Sequence, residues 1–241
     1  MIGLGTIINA AGVLLGGAMG LAFGKLLKQR FQDILNCACG ISVIFIGGAG
    51  ALQKMLVIQD DVLASQGTMM IIASLCIGAL VGEWINLEYR TEEFGEWLKK
   101  KSHSEKDPLF VEGFVTTSLT ICIGAMAILG PINDALYADY SILLAKAVLD
   151  AIIVLTLTAS FGKGCIFSVI PILVMEGSVT AFAKLIQPVM TPQALDNLSL
   201  VGSMLIFCVG INLVFGKKIK VANLLPSLVA AVGCAFLPFF S

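Results

Sequence analysis

Three ionisable side chains fall inside long apolar runs of this 241-residue chain: Lys146 and Asp150 in one, Glu176 in the next. An ionised group near the centre of a bilayer costs roughly 2.5–3.5 kcal/mol on insertion scales, so each such residue needs a partner or a task. Lys146 and Asp150 stand one helical turn apart on the same face, where an ammonium and a carboxylate neutralise each other. Glu176 directly precedes Gly177-Ser178, and consecutive antiparallel spans would bring it to the depth of Asp150. Such a set can bind a proton or small cation at Asp150, with Lys146 as internal counter-ion and Glu176 as second ligand or protonated carboxyl. A purely structural Lys146–Asp150 pair that ties two helices together is the other reading of the same residues.

Further polar groups sit near that depth. Glu112 lies close to the inner end of its apolar run and is followed by Thr116, Thr117, Ser118 and Thr120. Those hydroxyls either line a polar path or bond back to their own helix. Gly124 and Gly130-Pro131 can interrupt that run, and carbonyls freed there would suit a cation. Asn9, Asn212 and Asn223 are intramembrane amides; interhelical hydrogen bonding is their commoner role, and Asn9 and Asn212 join the candidate ligands. Glu83, beside Trp84 near an interface, can stay hydrated.

Enzyme chemistry is not expected. The chain has no GxxxxGK[ST], HExxH or GxSxG sequence, and its one histidine, His103, sits in a charged loop. No cofactor is expected, and no metal is identified. Cys37-Ala-Cys39 is not a zinc spacing, and the seven cysteines lie mostly in apolar runs, where Cys behaves as a small hydrophobe.

The elements that must hold these groups are membrane helices. The chain is 58% hydrophobic and 13% charged, against about 45–50% and roughly 25% in soluble domains. Its net charge of −1 gives no reason to expect nucleic acid; membrane lipid is the expected surrounding partner. A bilayer core of ~30 Å needs about 20 helical residues per crossing. Apolar runs of that order occupy 4–24, 33–53, 69–87, 111–130, 141–160, 165–186, 198–215 and 221–239, predicting an all-α polytopic protein with about eight spans. The first run lacks a basic leader and reads as a retained helix. Only Gly162-Lys163-Gly164 separates the fifth and sixth runs, so 141–186 is either two spans or one broken helix; Pro226 and Pro238 could shorten or kink the eighth.

Orientation follows from the cations. Lys25, Lys28 and Arg30 follow the first run, Arg90, Lys99–Lys101 and Lys106 the third, Lys163 the fifth, and Lys217, Lys218 and Lys220 the seventh. Asp60, Asp61, Asp134, Asp139 and Asp196 occupy the alternate loops. Loops after odd-numbered spans are therefore expected in the cytoplasm and both termini outside. In the longest loop, Phe94, Trp97 and Leu98 share one helical face, which suits either a short helix at the inner headgroup layer or a solvated helix extension.

Gly12, Gly16, Gly20 and Gly24 form a four-residue stride that lets another helix approach closely, within the chain or across a homodimer. The first and sixth runs also resemble each other: Ala22-Phe23-Gly24-Lys25-Leu26-Leu27 aligns with Ala181-Phe182-Ala183-Lys184-Leu185-Ile186. At the same offset Gly5 and Ile7 fall on Gly164 and Ile166. Gly40, Ile44, Phe45 and Gly48 of the second run fall on Gly202, Ile206, Phe207 and Gly210 of the seventh, and Gly82 matches Gly233. Paired runs of opposite direction predict an inverted repeat within a single transmembrane domain, 1–241. Repeat A would span 1–88 and repeat B 163–241, with a loop and interfacial helix at 89–109 and central helices at 110–162. Inverted repeats of this kind are a transporter architecture.

The stretches Gly5-Thr6-Ile7-Ile8-Asn9, Phe110-Val111-Glu112-Gly113-Phe114-Val115-Thr116, Gly124-Ala125-Met126-Ala127-Ile128-Leu129-Gly130 and Val221-Ala222-Asn223-Leu224-Leu225-Pro226, with Lys146-Ala-Val-Leu-Asp150, resemble the bacterial YqgA/YdfK-type family. The resemblance covers essentially the whole chain. It implies a bacterial inner-membrane protein and supplies neither substrate nor active site. Glu176 departs from the expected pattern, in which Gln or another polar residue precedes that glycine.

Two function classes follow. One is a small secondary transporter or ion-conducting protein for a cation or proton-coupled small solute. The other is a membrane scaffold, assembly factor or envelope-stress component with structural charges; lipid scrambling is a weaker third.

Overall fold

The computed structural model describes residues 3–26, 28–59 and 62–237. Asp60, Asp61 and Pro238 lie outside the described residues. The elements are α1 (Leu4–Leu26), α2 (Gln29–Met55), a hairpin of β1 (Leu56–Gln59) and β2 (Val62–Ser65), α3 (Thr68–Ile85), α4 (Leu87–Lys101), α5 (Phe110–Cys122), α6 (Met126–Tyr137), α7 (Ser141–Phe161), α8 (Val169–Ala181), α9 (Ala183–Ile186), α10 (Pro192–Phe215) and α11 (Pro226–Cys234). Short 3-10 turns occupy Lys163–Ser168, Gln187–Val189 and Val221–Leu224.

Among the described residues, six helical segments are long and apolar enough to cross a membrane: Leu4–Gly24, Arg30–Met55, Thr68–Ile85, Ser141–Phe161, Lys163–Ala181 and Pro192–Phe215. Their flanks leave large apolar side chains uncovered, such as Phe45 at 74% and Leu80 at 74% exposure, which suits lipid contact rather than water. The pair α5 and α6, bent by 59°, makes a seventh if it counts as one span. Among the described residues the expected eight spans are thus corrected to six or seven, because Val221–Cys234 is apolar but shorter than a crossing needs. It opens as a 3-10 turn, and Asn223 in that turn accepts the Glu88 N–H at 2.6 Å, so the α-helix starts only at Pro226. The all-α expectation is corrected as well: β1 and β2 pair antiparallel from Leu56↔Ser65 to Gln59↔Val62.

Two breaks decide where side chains end up. At Gly162, φ of 84° ends α7 in a conformation that only glycine adopts readily, so 141–186 forms two spans. At Gly124, φ of 137° separates α5 from α6. Gly130-Pro131 does not break the chain: α6 runs on through Pro131, its sixth residue, to Tyr137, giving up one backbone hydrogen bond there.

The chain divides into two compact units. The first comprises Met1–Cys39, Tyr89–Cys122 and Met126–Ile186. Its spine is the α1–α7 pair. Gly12, Gly16, Gly20 and Gly24 face the backbone carbonyls of Ala147, Ala151, Leu155 and Ala159 in register, so the two helices run parallel. Of the two partners open to the glycine stride, one in the same chain is what the fold supplies. On α4, Leu98 is buried at 5% exposure and Phe94 meets Phe114 at 5.8 Å between ring centroids, while Trp97 stays half exposed under Lys101.

The second unit comprises Gly40–Glu88, Ile123–Ala125 and Gln187–Ser241. The later half of α2 packs antiparallel on α10, with Gly40 against Val214 and Gly210 against Ile44. Gly78 and Gly82 of α3 admit the Ser227 and Asn223 backbone. Thr191 caps α10 by accepting the Ala194 N–H at 3.2 Å, with Pro192 at the first helical position. Thr191→Ala is expected to cost about 1 kcal/mol, measured as a lower unfolding midpoint in detergent.

Candidate functional site

A buried charged cluster forms inside the first unit, on α1, α7 and α8. Asn9, Lys146, Asp150 and Glu176 are at most 5% exposed. Asn9 Nδ2 donates to Asp150 Oδ2 at 3.1 Å and to Glu176 Oε1 at 2.7 Å. Lys146 Nζ contacts Asp150 Oδ2 and lies 3.6 Å from Glu176 Oε1. It also donates to the Ile121 carbonyl at 2.8 Å. That carbonyl is free because α5 ends at Cys122, one residue on, where the Gly124 break removes its usual i+4 partner. The ammonium thereby also complements the negative end of α5.

Two carboxylates share one ammonium. With both acids ionised the cluster carries one surplus negative charge in a low-dielectric site, and a charge there needs a counter-charge or a proton. Two oxygens remain without a hydrogen-bond partner, Asn9 Oδ1 and Glu176 Oε2. Hard oxygen donors beside a surplus negative charge suit one proton or one small cation, not an anion.

The other sequence candidates lie elsewhere. Glu112 is exposed in the first turn of α5. The carbonyl of Thr116 accepts the Thr120 hydroxyl at 2.7 Å, so that part of the threonine run bonds back to its own helix. Thr117 is fully buried, and its hydroxyl, like that of Thr158 on α7, has no hydrogen-bond partner. Asn212 belongs to the second unit, where it ties down the loop after α10: its Oδ1 accepts from Lys218 and Ile219 N–H, both at 2.9 Å. Glu83 accepts from Lys220 at 2.8 Å and Asn223 at 2.6 Å, and Glu88 pairs with Lys217 at 2.7 Å. Those bonds are structural clamps. The second unit also holds a cavity of about 600 Å³ walled by apolar residues such as Leu52, Leu75 and Phe207.

Sequence reasoning missed Asp134. Expected in an external loop, it lies inside α6, wholly buried, with Oδ2 accepting the Gly5 N–H at the start of α1 at 2.9 Å and Oδ1 without a partner. Its spacing after Pro131-Ile132-Asn133 resembles a turn, and nothing local announces the distant N–H. Among the described residues, no group of three or more His, Cys, Asp or Glu is arranged to hold a metal ion.

No solved structure matches the chain. It is 34% identical over 224 residues to the "Uncharacterized membrane protein YdfK" of Bacillus subtilis, spanning 93% of this chain and 92% of that one. It is 30% identical over 233 residues to the "Uncharacterized protein YqgA" of Escherichia coli, at 95% and 94% coverage. Its several helical spans agree with the membrane protein named in the first of these. The family described as "Protein of unknown function (DUF554)" matches residues 4–236, and the chain, a multi-pass membrane protein with bacterial relatives, belongs to that family.

Proposed function

We propose that this protein is a small secondary transporter or ion-conducting protein for a cation or a proton-coupled small solute, with its site at Asp150, Glu176, Lys146 and Asn9. The observation that carries this reading is the unequal count: two buried carboxylates, one ammonium and two oxygens left without partners. A helix pair that needed only neutrality would be complete with Lys146 and Asp150. Glu176 adds a charge that a mobile proton or cation must balance. The broken α5–α6 pair beside the site supports the same reading, since transporter sites are commonly built where helices are discontinuous.

An inverted repeat is part of the proposal. Within the first unit α1 runs antiparallel to α8 and the 3-10 turn before it, from Gly3 near Thr180 to Gly17 against Ile166. Within the second, α2 crosses α10 and α3 crosses α11 in the same manner. Within each unit, an element so meets the one that the sequence aligns with it, an antiparallel pairing that suits an inverted repeat. The parallel run of α1 and α7 requires an odd number of crossings between them. Spans α2 and α3 give two, so the bent α5–α6 pair is assigned the third. With basic loops inside, the N-terminus of α1 then faces out, and the inner membrane of a bacterium is the proposed location.

A structural role for the charges, as in a scaffold or assembly factor, is the second reading. It is favoured by the closed Lys146–Asp150 contact and by the Ile121 carbonyl that completes it. Ion flux into proteoliposomes separates the two. Purified protein is assayed with H⁺, Na⁺, K⁺ and divalent cations, with Asp150→Asn as control. The expected result is flux of one of these ions in the wild type and its loss in a folded Asp150→Asn. No flux for any ion, with the variant merely less stable, would favour the structural role.

A further inference from the structure

We infer that the cluster is reached from the N-terminal end of α1 through a second, outer station for the same proton or monovalent cation, formed by Asp134, Thr6 and Thr180, and that it is sealed from the opposite end by one apolar layer. The inference rests on the ion-site reading above. Asp134 is fully buried, yet only its Oδ2 has a partner, the Gly5 N–H. Its Oδ1, Thr6 Oγ1 and Thr180 Oγ1 are all buried without hydrogen-bond partners. They lie on α6, α1 and α8, three helices in mutual contact. Thr180 comes within 4.0 Å of the position of a Cβ on Gly3, and Gly5 holds Asp134, so all three flank the first turn of α1.

Helical spacing links this station to the charged cluster. Thr6 stands one turn from Asn9, and Thr180 one turn from Glu176. The two orphaned oxygens of the cluster, Asn9 Oδ1 and Glu176 Oε2, therefore continue a line of unpartnered oxygens along α1 and α8. An oxygen left bare in a dry interior is costly, and several in one line suit a transient ligand that visits each.

The other direction differs in kind. One turn beyond Asn9, Asp150 and Glu176 stand Val13, Val154 and Ile172, which pack with Ile121 into a buried apolar cluster. Past that layer polarity returns: the Thr117 and Thr158 hydroxyls are again buried without hydrogen-bond partners, and Thr158 also lines a cavity of about 330 Å³ with Asp107, Gln32 and Ser160. A single layer of four aliphatic side chains thus separates the line of bare oxygens on α1 and α8 from the Thr117 and Thr158 hydroxyls behind it. A hydrated ion cannot cross such a layer unless the side chains part, which is how hydrophobic constrictions gate.

The test combines labelling and flux. Thr180→Cys and Val154→Cys are made singly in the full chain, which is reconstituted and treated with a small cationic methanethiosulfonate. Labelling is read cysteine by cysteine by mass spectrometry, so native thiols need no removal. Thr180→Cys is expected to react at least tenfold faster than Val154→Cys. In the flux assay Asp134→Asn is expected to slow transport at least tenfold. Because Asp134 also holds the start of α1, the near-isosteric Thr6→Val serves as second variant, expected to slow flux severalfold at an unchanged melting midpoint. Equal reaction at 180 and 154 would overturn the inference. So would wild-type flux rates in both Asp134→Asn and Thr6→Val, a result that leaves the Asp150 site standing if Asp150→Asn is still dead. Absence of flux in the wild type would remove both proposals together.

Discussion

Lys146→Met is expected to destabilise the protein by about 3–5 kcal/mol, because it strips the shared ammonium from two buried carboxylates. The methionine fills the same volume, so loss of packing contributes little and the effect reports charge. Asp150 and Glu176 would then face each other through a single shared donor, Asn9 Nδ2, and the Ile121 carbonyl would lose its partner. Equilibrium unfolding in detergent measures the change. Adding Asp150→Asn to Lys146→Met is expected to recover part of the loss, and adding Glu176→Gln as well to recover most of it, since groups in one network do not add independently. A cost below about 1 kcal/mol for Lys146→Met alone would mean that the two acids are already neutralised by something other than the lysine.

How much of this could be read from residues alone varies with the range of the interaction. Seven of the eight apolar runs correspond to helical spans or to the bent pair, because the bilayer imposes its thickness and its demand for internal backbone bonding on local sequence. The pairing of Lys146 with Asp150 is equally local. Glu176 reaches the same depth because α7 and α8 follow each other through a short break at Gly162. The bridging role of Asn9 needed the third dimension: only the packing of α1 on α7 and α8 carries its amide to both acids.

What stayed hidden depended on distant partners. Asp134 looks like a loop residue until the Gly5 N–H is brought to it. Asn212 looks like an intramembrane ligand until the returning loop supplies the Lys218 and Ile219 N–H groups. The eighth run reads as a full span by hydropathy, yet its start is bent into a 3-10 turn by Asn223 and by Glu88, which accepts the Ala222 N–H at 2.9 Å. The break at Gly124 rather than at Gly130-Pro131 turns on a backbone dihedral, which composition does not encode. The glycine stride announced a close approach without naming its partner.

Gly16→Ala should be the most damaging single methyl that can be added to the glycine stride of α1, and it tests that partner directly. A Cβ on Gly16 would run into the Ala151 carbonyl and lie 2.9 Å from the Ala151 Cα, both backbone atoms of α7. No rotamer change can relieve such a clash; the helices must separate, which disturbs the in-register contacts at Gly12, Gly20 and Gly24 as well. The expected loss is about 3 kcal/mol, at the upper end for overpacking. Because α1 and α7 also carry Asn9 and Asp150, separation should lengthen the Asn9–Asp150 bond and lower any flux in step with stability. Gly177→Ala is the matched control: it lies inside α8 beside Glu176, and a Cβ there meets nothing within 4 Å. It is expected to leave the unfolding midpoint unchanged or raise it slightly, since alanine favours the helix. If both substitutions prove equally mild, the α1–α7 seam has room that a close backbone approach denies, and the stride would have to serve a surface outside the chain instead.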